Sequence, residues 1–448
     1  MPLSHLPGAS PLTRMADGTI KQVNPFTGTQ VWTVPGRGHR PLGLASRTPE
    51  PLAAPNDGRH CALCHLRYRE TPPEKARLVR QDADDGEQWL TLHNVPSERL
   101  FDQVAELRRI PNLFEILSFD YWHANYGYDM SPEAAEAMRS YLATGSGREH
   151  VLAVVRARLA ASGVSDEGWA ALGEEERLEP ARAFFGGSHD LIVARRHYLD
   201  DATHDDALAS SGSLTPAEHA RYIGFTVDAI AATYAANRYA RYVAVFQNWL
   251  KPAGASFDHL HKQLVAIDER GVQAELELRG LRLNPNIYNE AAVNYAAHHN
   301  LVIAENDHAI AFAGFGHRYP TLEVFSKSAE PLPWRQSPDE VRGMSDILHA
   351  CHAATGAAVP CNEEWHHRPA DVDVPMPWRV MVKWRVSTLA GFEGGTKIYL
   401  NTIDPWTLRD RVVPRLEELR ERGRIADMAL ASECPAAPNA LRYNPALG

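Results

Sequence analysis

One stretch of this chain echoes another, and an echo limits the fold more than any single motif. "TLEVFS" (321–326), a gap, and "SPDEVRGMSDIL" (337–348) repeat the order of "FEILSF" (114–119), a gap, and "SPEAAEAMRSYL" (131–142). "WRVMVKW" (378–384) loosely answers "YVAVFQN" (242–248). The first segment of each pair carries the β-branched and aromatic residues of a strand, and the second opens on Ser-Pro, a helix N-cap followed by proline in the first turn. Ser131 and Ser337 are the expected caps, and Val341, Met344, Ile347 or Leu348, and Cys351 fall on one helical face. Chance similarity of two capped helices is the competing explanation. A duplicated α+β unit predicts two antiparallel sheets with flanking helices. The join falls near 270–290, which divides the chain into 1–275 and 276–448. Further strands are expected at 30–34, 88–94 and 264–268, and helices at 148–161 and 214–238.

The chain is ample for such a duplication: 448 residues, 44% hydrophobic and 23% charged. A net charge of −10 argues against nucleic acid or an anionic membrane as partner. No apolar run is long enough to span a bilayer, and the N-terminus lacks the order of a secretory signal. Five cysteines, an odd and sparse number, fit a reducing cytoplasm. The 21 histidines point toward metal or acid–base chemistry.

Cys61 and Cys64 form a single C-x-x-C. Two thiolates at that spacing can hold one ion from one turn, but no second such pair exists, so a zinc site would need histidines from elsewhere. His123, after the 114–119 segment, and His259 are the candidates. Such a set closes a tetrahedral shell, which is structural in character. Two buried thiols without a ligand remain the alternative.

"FQNWLKPAGASFDHLHKQLVAID" (246–268) reads as strand, loop, strand. Residues two apart on an extended strand share a face, so His259, His261 and Gln263 line one side. An imidazole there can ligate a metal, act as a base or attack as a nucleophile. The small-residue loop with Gly254 and Ser256, flanked by Asn248, offers donors for a phosphate. Two half-buried strand histidines would satisfy the same spacing.

The ordered set "FQN", "AGAS" and "DHLHKQ" resembles the active-site segment of the galactose-1-phosphate uridylyltransferase family, a branch of the histidine-triad superfamily. "NPFTGTQVWTVPGRGHRP" (24–41), "ENDHAIAF" (305–312) and "AGFEGGTKIYLN" (390–401) extend the resemblance over roughly 24–420. It implies a duplicated histidine-triad-like fold with the nucleophile only in the N-terminal half, zinc, and possible homodimers. It implies His261 as the nucleophile that carries a nucleotidyl group and Gln263 as its phosphoryl stabiliser. Cys61, Cys64, His123 and His259 would hold the zinc. Arg37, Arg40, Asn248, Gly254 and Ser256 would contact phosphates, and Asn112 the nucleoside. Phe392 and Glu393 would belong to a sugar pocket, although Ser387 and Tyr399 stand where the family has lysine and glutamine. His308 and His317 are expected to be structural or pocket-lining. The region 145–215 exceeds what the family needs and reads as an insertion, with a solvated excursion favoured over a lid or interface.

The expected function is nucleotidyl transfer, by default of UMP, between a nucleotide sugar and a sugar 1-phosphate in the cytoplasm. A phosphorylase that uses inorganic phosphate, on a nucleotide sugar or a dinucleotide, is the first alternative. A zinc-stabilised nucleotide-binding protein without turnover is the second.

Overall fold

A computed structural model describes residues 10–36, 48–54, 57–83 and 86–447. The chain begins with a small meander, β1 (Leu12–Arg14), β2 (Ile20–Val23) and β3 (Gln30–Thr33). Six strands follow: β4 (Ala76–Ala83), β5 (Gly86–His93), β6 (Leu107–Pro111), β7 (His189–Ala194), β8 (Tyr242–Trp249) and β9 (His261–Ile267). The second half supplies β10 (Val302–Glu305), β11 (Ala309–Ala313), β12 (Thr321–Ser326), β13 (Cys361–His366) and β14 (Arg379–Trp384). Two short strands close the set, β15 (Ile398–Leu400), which joins the meander in parallel beside β3, and β16 (Ala429–Leu430).

The α+β class and the antiparallel sheets are as the sequence predicts. Twelve strands form one antiparallel sheet in the order β16-β10-β11-β12-β14-β13-β8-β9-β7-β6-β4-β5. The halves meet at its centre, where β8 and β13 pair with Asn248 opposite Asn362 and Gln247 opposite Glu363. One face of the sheet is covered by the helices Pro216–Ala236 and Pro338–Thr355, which also pack on each other. Both start in the same way. Thr215 accepts from the Glu218 N–H and Ser337 from the Glu340 N–H, each glutamate reaches back, and proline occupies the first turn.

The strand order corrects the register of the repeat. Each half contains, in order, strand, strand, capped helix, strand, strand (β6 to β9 in the first, β11 to β14 in the second), so β12 corresponds to β7, not to 114–119. The helix Pro338–Thr355 corresponds to Pro216–Ala236, not to Pro132–Ala143. β8 corresponds to β13, and β14 to β9. "FEILSF" is no strand. The N–H of Phe114 goes to the Asn112 side chain (3.0 Å), that of Ile116 to the His189 ring (3.1 Å) and that of Phe119 to Glu115 (3.2 Å). Side chains take the donors a ladder would need, and Phe114 and Ile116 stand 58% and 63% exposed.

The expected insertion at 145–215 is corrected likewise. Within it, β7 is buried along its whole length and sits between β6 and β9. The added material lies instead between β6 and β7. There the helices Pro132–Ala143 and Gly145–Ala161 share a small separate core of Tyr141, Val151, Val154, Val155, Ala181 and Phe184. Ser131 caps the first of them as predicted.

Candidate functional site

Alternation along β9 decides what faces where. Leu264 and Lys262 turn to the helix-covered side and are fully buried. His261 and Gln263 turn to the other side, with Phe246 of β8 directly across from Gln263. Leu191 and Val193 of β7 pair with Gln263 and His261 on the far flank.

His261 is 4% exposed. Its Nδ1–H donates to the His259 carbonyl at 2.7 Å, which leaves the lone pair on Nε2; that atom has no hydrogen-bond partner among the described residues. Burial lowers the ring's pKa, and the bond to the His259 carbonyl only partly opposes it, so the neutral, nucleophilic form is favoured at neutral pH. Gln263 is anchored by a residue the sequence reading missed. His189 takes the Ile116 N–H on Nδ1 (3.1 Å), so its Nε2–H donates to Gln263 Oε1 (3.1 Å). With its oxygen held, the Gln263 amide nitrogen is free to donate. Asn112 lies beside this pair, its Nδ2 at 3.5 Å from Gln263 Oε1.

The loop after β8 is bent by Gly254 (φ +92°), a conformation glycine tolerates, and by Leu250 (φ +66°), where a bulky side chain is strained. The N–H groups of Ala253, Gly254 and Ala255 turn inward to the carbonyls of Leu250 and Lys251. Those of Ser256 and Phe257 have no acceptor among the described residues and are the loop's available donors. Phe257 stands edge-on to the His261 ring, 6.4 Å between centroids. Asn248 joins the loop to the second half: it donates to the Gly254 carbonyl (3.4 Å) and accepts from Asn362 (2.7 Å).

Cys61, Cys64 and His259 come together as predicted, but the fourth member is His197, not His123. The ligand atoms of the four all lie within 4.8 Å of one another. The two sulfurs are 3.8 Å apart, and three sulfur–Nδ1 distances to His259 and His197 are 3.5, 3.6 and 3.7 Å. A zinc with bonds of about 2.3 Å to sulfur and 2.0 Å to nitrogen has tetrahedral S–S and S–N edges of about 3.8 and 3.5 Å, so these residues fit that ion. The His259 ring is set for the task, since its Nε2–H donates to the Ala194 carbonyl at 2.6 Å and Nδ1 faces the thiols. Cys64 is held below the usual thiol range by the Cys61 thiol, with His197 and His259 adding to the effect.

His123 lies elsewhere, exposed on the helix Phe119–Tyr126, where its Nδ1 donates to the Tyr128 carbonyl at 2.8 Å. The misassignment follows from taking 114–119 as a strand. The true strand β7 delivers His197 three residues past its end, and "HDLIVARRH" (189–197) already carries the signal, a buried-strand run followed by a histidine.

Arg37 and Arg40 lie outside the described residues. Phe392 is 43% exposed and its ring lies 6.2 Å from that of Trp32. Glu393 accepts from the Ala390 N–H (3.1 Å), capping its own short helix. Neither touches His261 or Gln263. His317 pairs with Glu323 at 2.7 Å, and His308 has Gly343 packed close against it.

A sequence family described as "Domain of unknown function (DUF4921)" matches residues 15–443. No curated protein sequence matches the chain. Among solved structures, an ADP-glucose phosphorylase from Arabidopsis thaliana with bound ADP-glucose is 18% identical, with a TM-score of 0.55 over 89% of this chain and 98% of that one. A GalT-like protein from the same plant is 17% identical, with a TM-score of 0.54 and the same coverage. A uridylyltransferase gives a TM-score of 0.42 at 17% identity, over 51% of this chain and 75% of its own. The chain therefore shares the fold of the two plant proteins over nearly the whole of their length. Among the described residues no helix is long and apolar enough to cross a membrane.

Proposed function

We propose that this chain, which belongs to the DUF4921 family, passes a nucleoside monophosphate from a nucleotide sugar to a phosphorylated acceptor through a covalent nucleotidyl–His261. The observation that carries the reading is the His261 tautomer. Nδ1–H is committed to the His259 carbonyl, and the Nε2 lone pair is left for phosphorus beside Gln263 and the 250–256 loop.

In the first half-reaction Nε2 attacks the α-phosphorus, the bond to the bridging oxygen breaks, and the sugar 1-phosphate leaves with that electron pair. In the second, a phosphate oxygen of the acceptor attacks, the P–N bond breaks, and its electron pair returns to Nε2. The Gln263 amide, its oxygen fixed by His189, donates to the non-bridging oxygens as their charge develops. Ser256 and Phe257 supply backbone donors, Asn248 and Gly254 shape the loop, and Asn112 borders the nucleoside. Arg37 and Arg40 would bring cations to the phosphates.

Cys61, Cys64, His197 and His259 would hold a zinc, which supplies structural rigidity rather than chemistry. Because His259 is both a ligand-set member and the acceptor of the His261 Nδ1–H, rigidity there aims the nucleophile. Residues 1–275 are the catalytic domain in this reading, and 276–448 complete the pocket, in a cytoplasmic enzyme able to dimerise.

UMP is the default cargo. The ADP-glucose bound in the plant phosphorylase makes AMP the other candidate. Inorganic phosphate as acceptor is favoured by one observation: Glu393, expected at a sugar, is spent on its own helix cap, with Ser387 and Tyr399 nearby in place of lysine and glutamine. The test is a two-step exchange. The protein is loaded with UDP-glucose or ADP-glucose labelled in the α-phosphate and desalted, then given galactose 1-phosphate or inorganic phosphate. Label should stay on the protein and leave with one acceptor. Failure of both donors to load would reject the reading.

A further inference from the structure

The open face of β8 and β13 holds a cleft of about 520 Å³ that begins at Phe246 and Asn248 and extends over Asn362, Glu364, His366 and Arg385. It contains two arginines and an acid, and their partners differ. Arg270 is neutralised by Asp371 (2.8 and 2.9 Å) and Glu275 (3.0 Å). Glu364 is taken by Lys383. Arg385 has no carboxylate partner among the described residues.

Arg385 is nonetheless held firmly. Its backbone N–H donates to the Pro360 carbonyl (2.8 Å), and its guanidinium lies over the Tyr319 ring at 4.7 Å. One Nη1 donates to Asn362 Oδ1 at 2.8 Å. The Asn362 amide in turn donates to Asn248 Oδ1 (2.7 Å) and to the Ala253 carbonyl (2.8 Å). The cation is thus wired to the loop beside the nucleophile. Its Nε is sealed from solvent with no acceptor among the described residues. Asn362 sits two strands over from His261, about 10 Å across the sheet. A half-buried guanidinium without an anion carries an uncompensated desolvation cost, and its planar fork matches phosphate.

We propose that Arg385 recognises the phosphate that is not transferred: the outer phosphate of the diphosphate donor, and the phosphate group of the acceptor, which occupies the same place in the return half-reaction. This rests on the nucleotidyl–His261 reading and deepens it by assigning the cation that selects the second phosphate. The group can arrive as a sugar 1-phosphate or as inorganic phosphate, and Arg385 meets the same oxygens in either.

Arg385→Met tests it, with Arg385→Lys to restore charge and thermal unfolding to confirm folding. His261 is loaded from UDP-glucose or ADP-glucose, and separately from the matching nucleoside phosphorimidazolide, whose leaving group carries no phosphate. The ratio of the two loading efficiencies should fall roughly 10- to 100-fold in Arg385→Met, the loss expected for a charge-assisted pair, and recover in part in Arg385→Lys. Calorimetric binding of inorganic phosphate and of glucose 1-phosphate identifies the source; whichever binds the wild type should weaken by the same factor. An unchanged loading ratio with unchanged phosphate binding overturns the proposal. If the wild type never loads but phosphate binding still depends on Arg385, the transfer reading falls and the anion site stands. If neither loading nor phosphate binding occurs in the wild type, both are wrong.

Discussion

Behind the proposed nucleophile, on the helix-covered side of the sheet, Lys262 is fully buried between His261 and Gln263. Its ammonium donates to Glu363 Oε1 at 2.6 Å and Gln247 Oε1 at 3.1 Å. Glu363, also fully buried, takes His352 Nε2 at 2.7 Å and the Trp365 indole as well. This ties β9 of the first half to β13 of the second. Burial works against the Glu363 charge, yet Lys262 and His352 hold its carboxyl well below the usual range. Burial also depresses Lys262, with Glu363 opposing.

Glu363→Gln keeps the shape and one acceptor but strands the lysine charge, which costs about 3–5 kcal/mol. At roughly 2 °C per kcal/mol for a large chain, the melting temperature should drop by about 6–10 °C. The double variant Lys262→Met/Glu363→Gln removes the stranded charge and should recover most of the loss. The contribution has a sign in pH. A carboxyl depressed on folding stabilises above its unfolded pKa of about 4.5, so the gap between wild type and Glu363→Gln persists at neutral pH and shrinks as pH falls below that value. Calorimetry and urea unfolding at pH 7 and pH 4 measure both. A Glu363→Gln protein melting within a degree of the wild type, or a double variant less stable than the single, refutes the reasoning.

Three further outcomes follow from the site. Zinc should copurify with the wild type, be lost in His197→Ala and be kept in His123→Ala, as metal analysis of the purified proteins would show. His189→Phe frees Gln263 and should lower kcat by about 10²-fold with KM changed only a few-fold, the signature of a misplaced stabiliser. Burial pushes the Glu115 carboxyl up to about 7, so the folded chain holds the proton longer than the unfolded one and loses stability as pH rises from about 4.5 to 7. Glu115→Gln removes that loss, and its advantage in urea titrations should grow by at most about 3 kcal/mol between pH 4.5 and pH 8.

The candidate catalytic stretch was legible because period-two alternation alone places His261 and Gln263 on one face, and β9 obeys it. The C-x-x-C turn and the capped helix at 337–348 were equally local and equally readable. What depended on long-range pairing was not. "FEILSF" has strand composition, but Asn112, His189 and Glu115 capture its N–H groups, and no local signal announces a partner 70 residues away. That single error hid β7, shifted the repeat, and exchanged His123 for His197. His189 escaped notice because its role exists only once β7 lies beside β9.

The central claim is the covalent bond at one ring nitrogen. Intact-mass and peptide-level mass spectrometry of protein quenched after brief exposure to UDP-glucose or ADP-glucose tests it directly. The account predicts a gain of one nucleoside monophosphate, acid-labile, on the peptide containing His261, and none in His261→Ala. An adduct on another residue, or turnover that survives in His261→Ala, would contradict it.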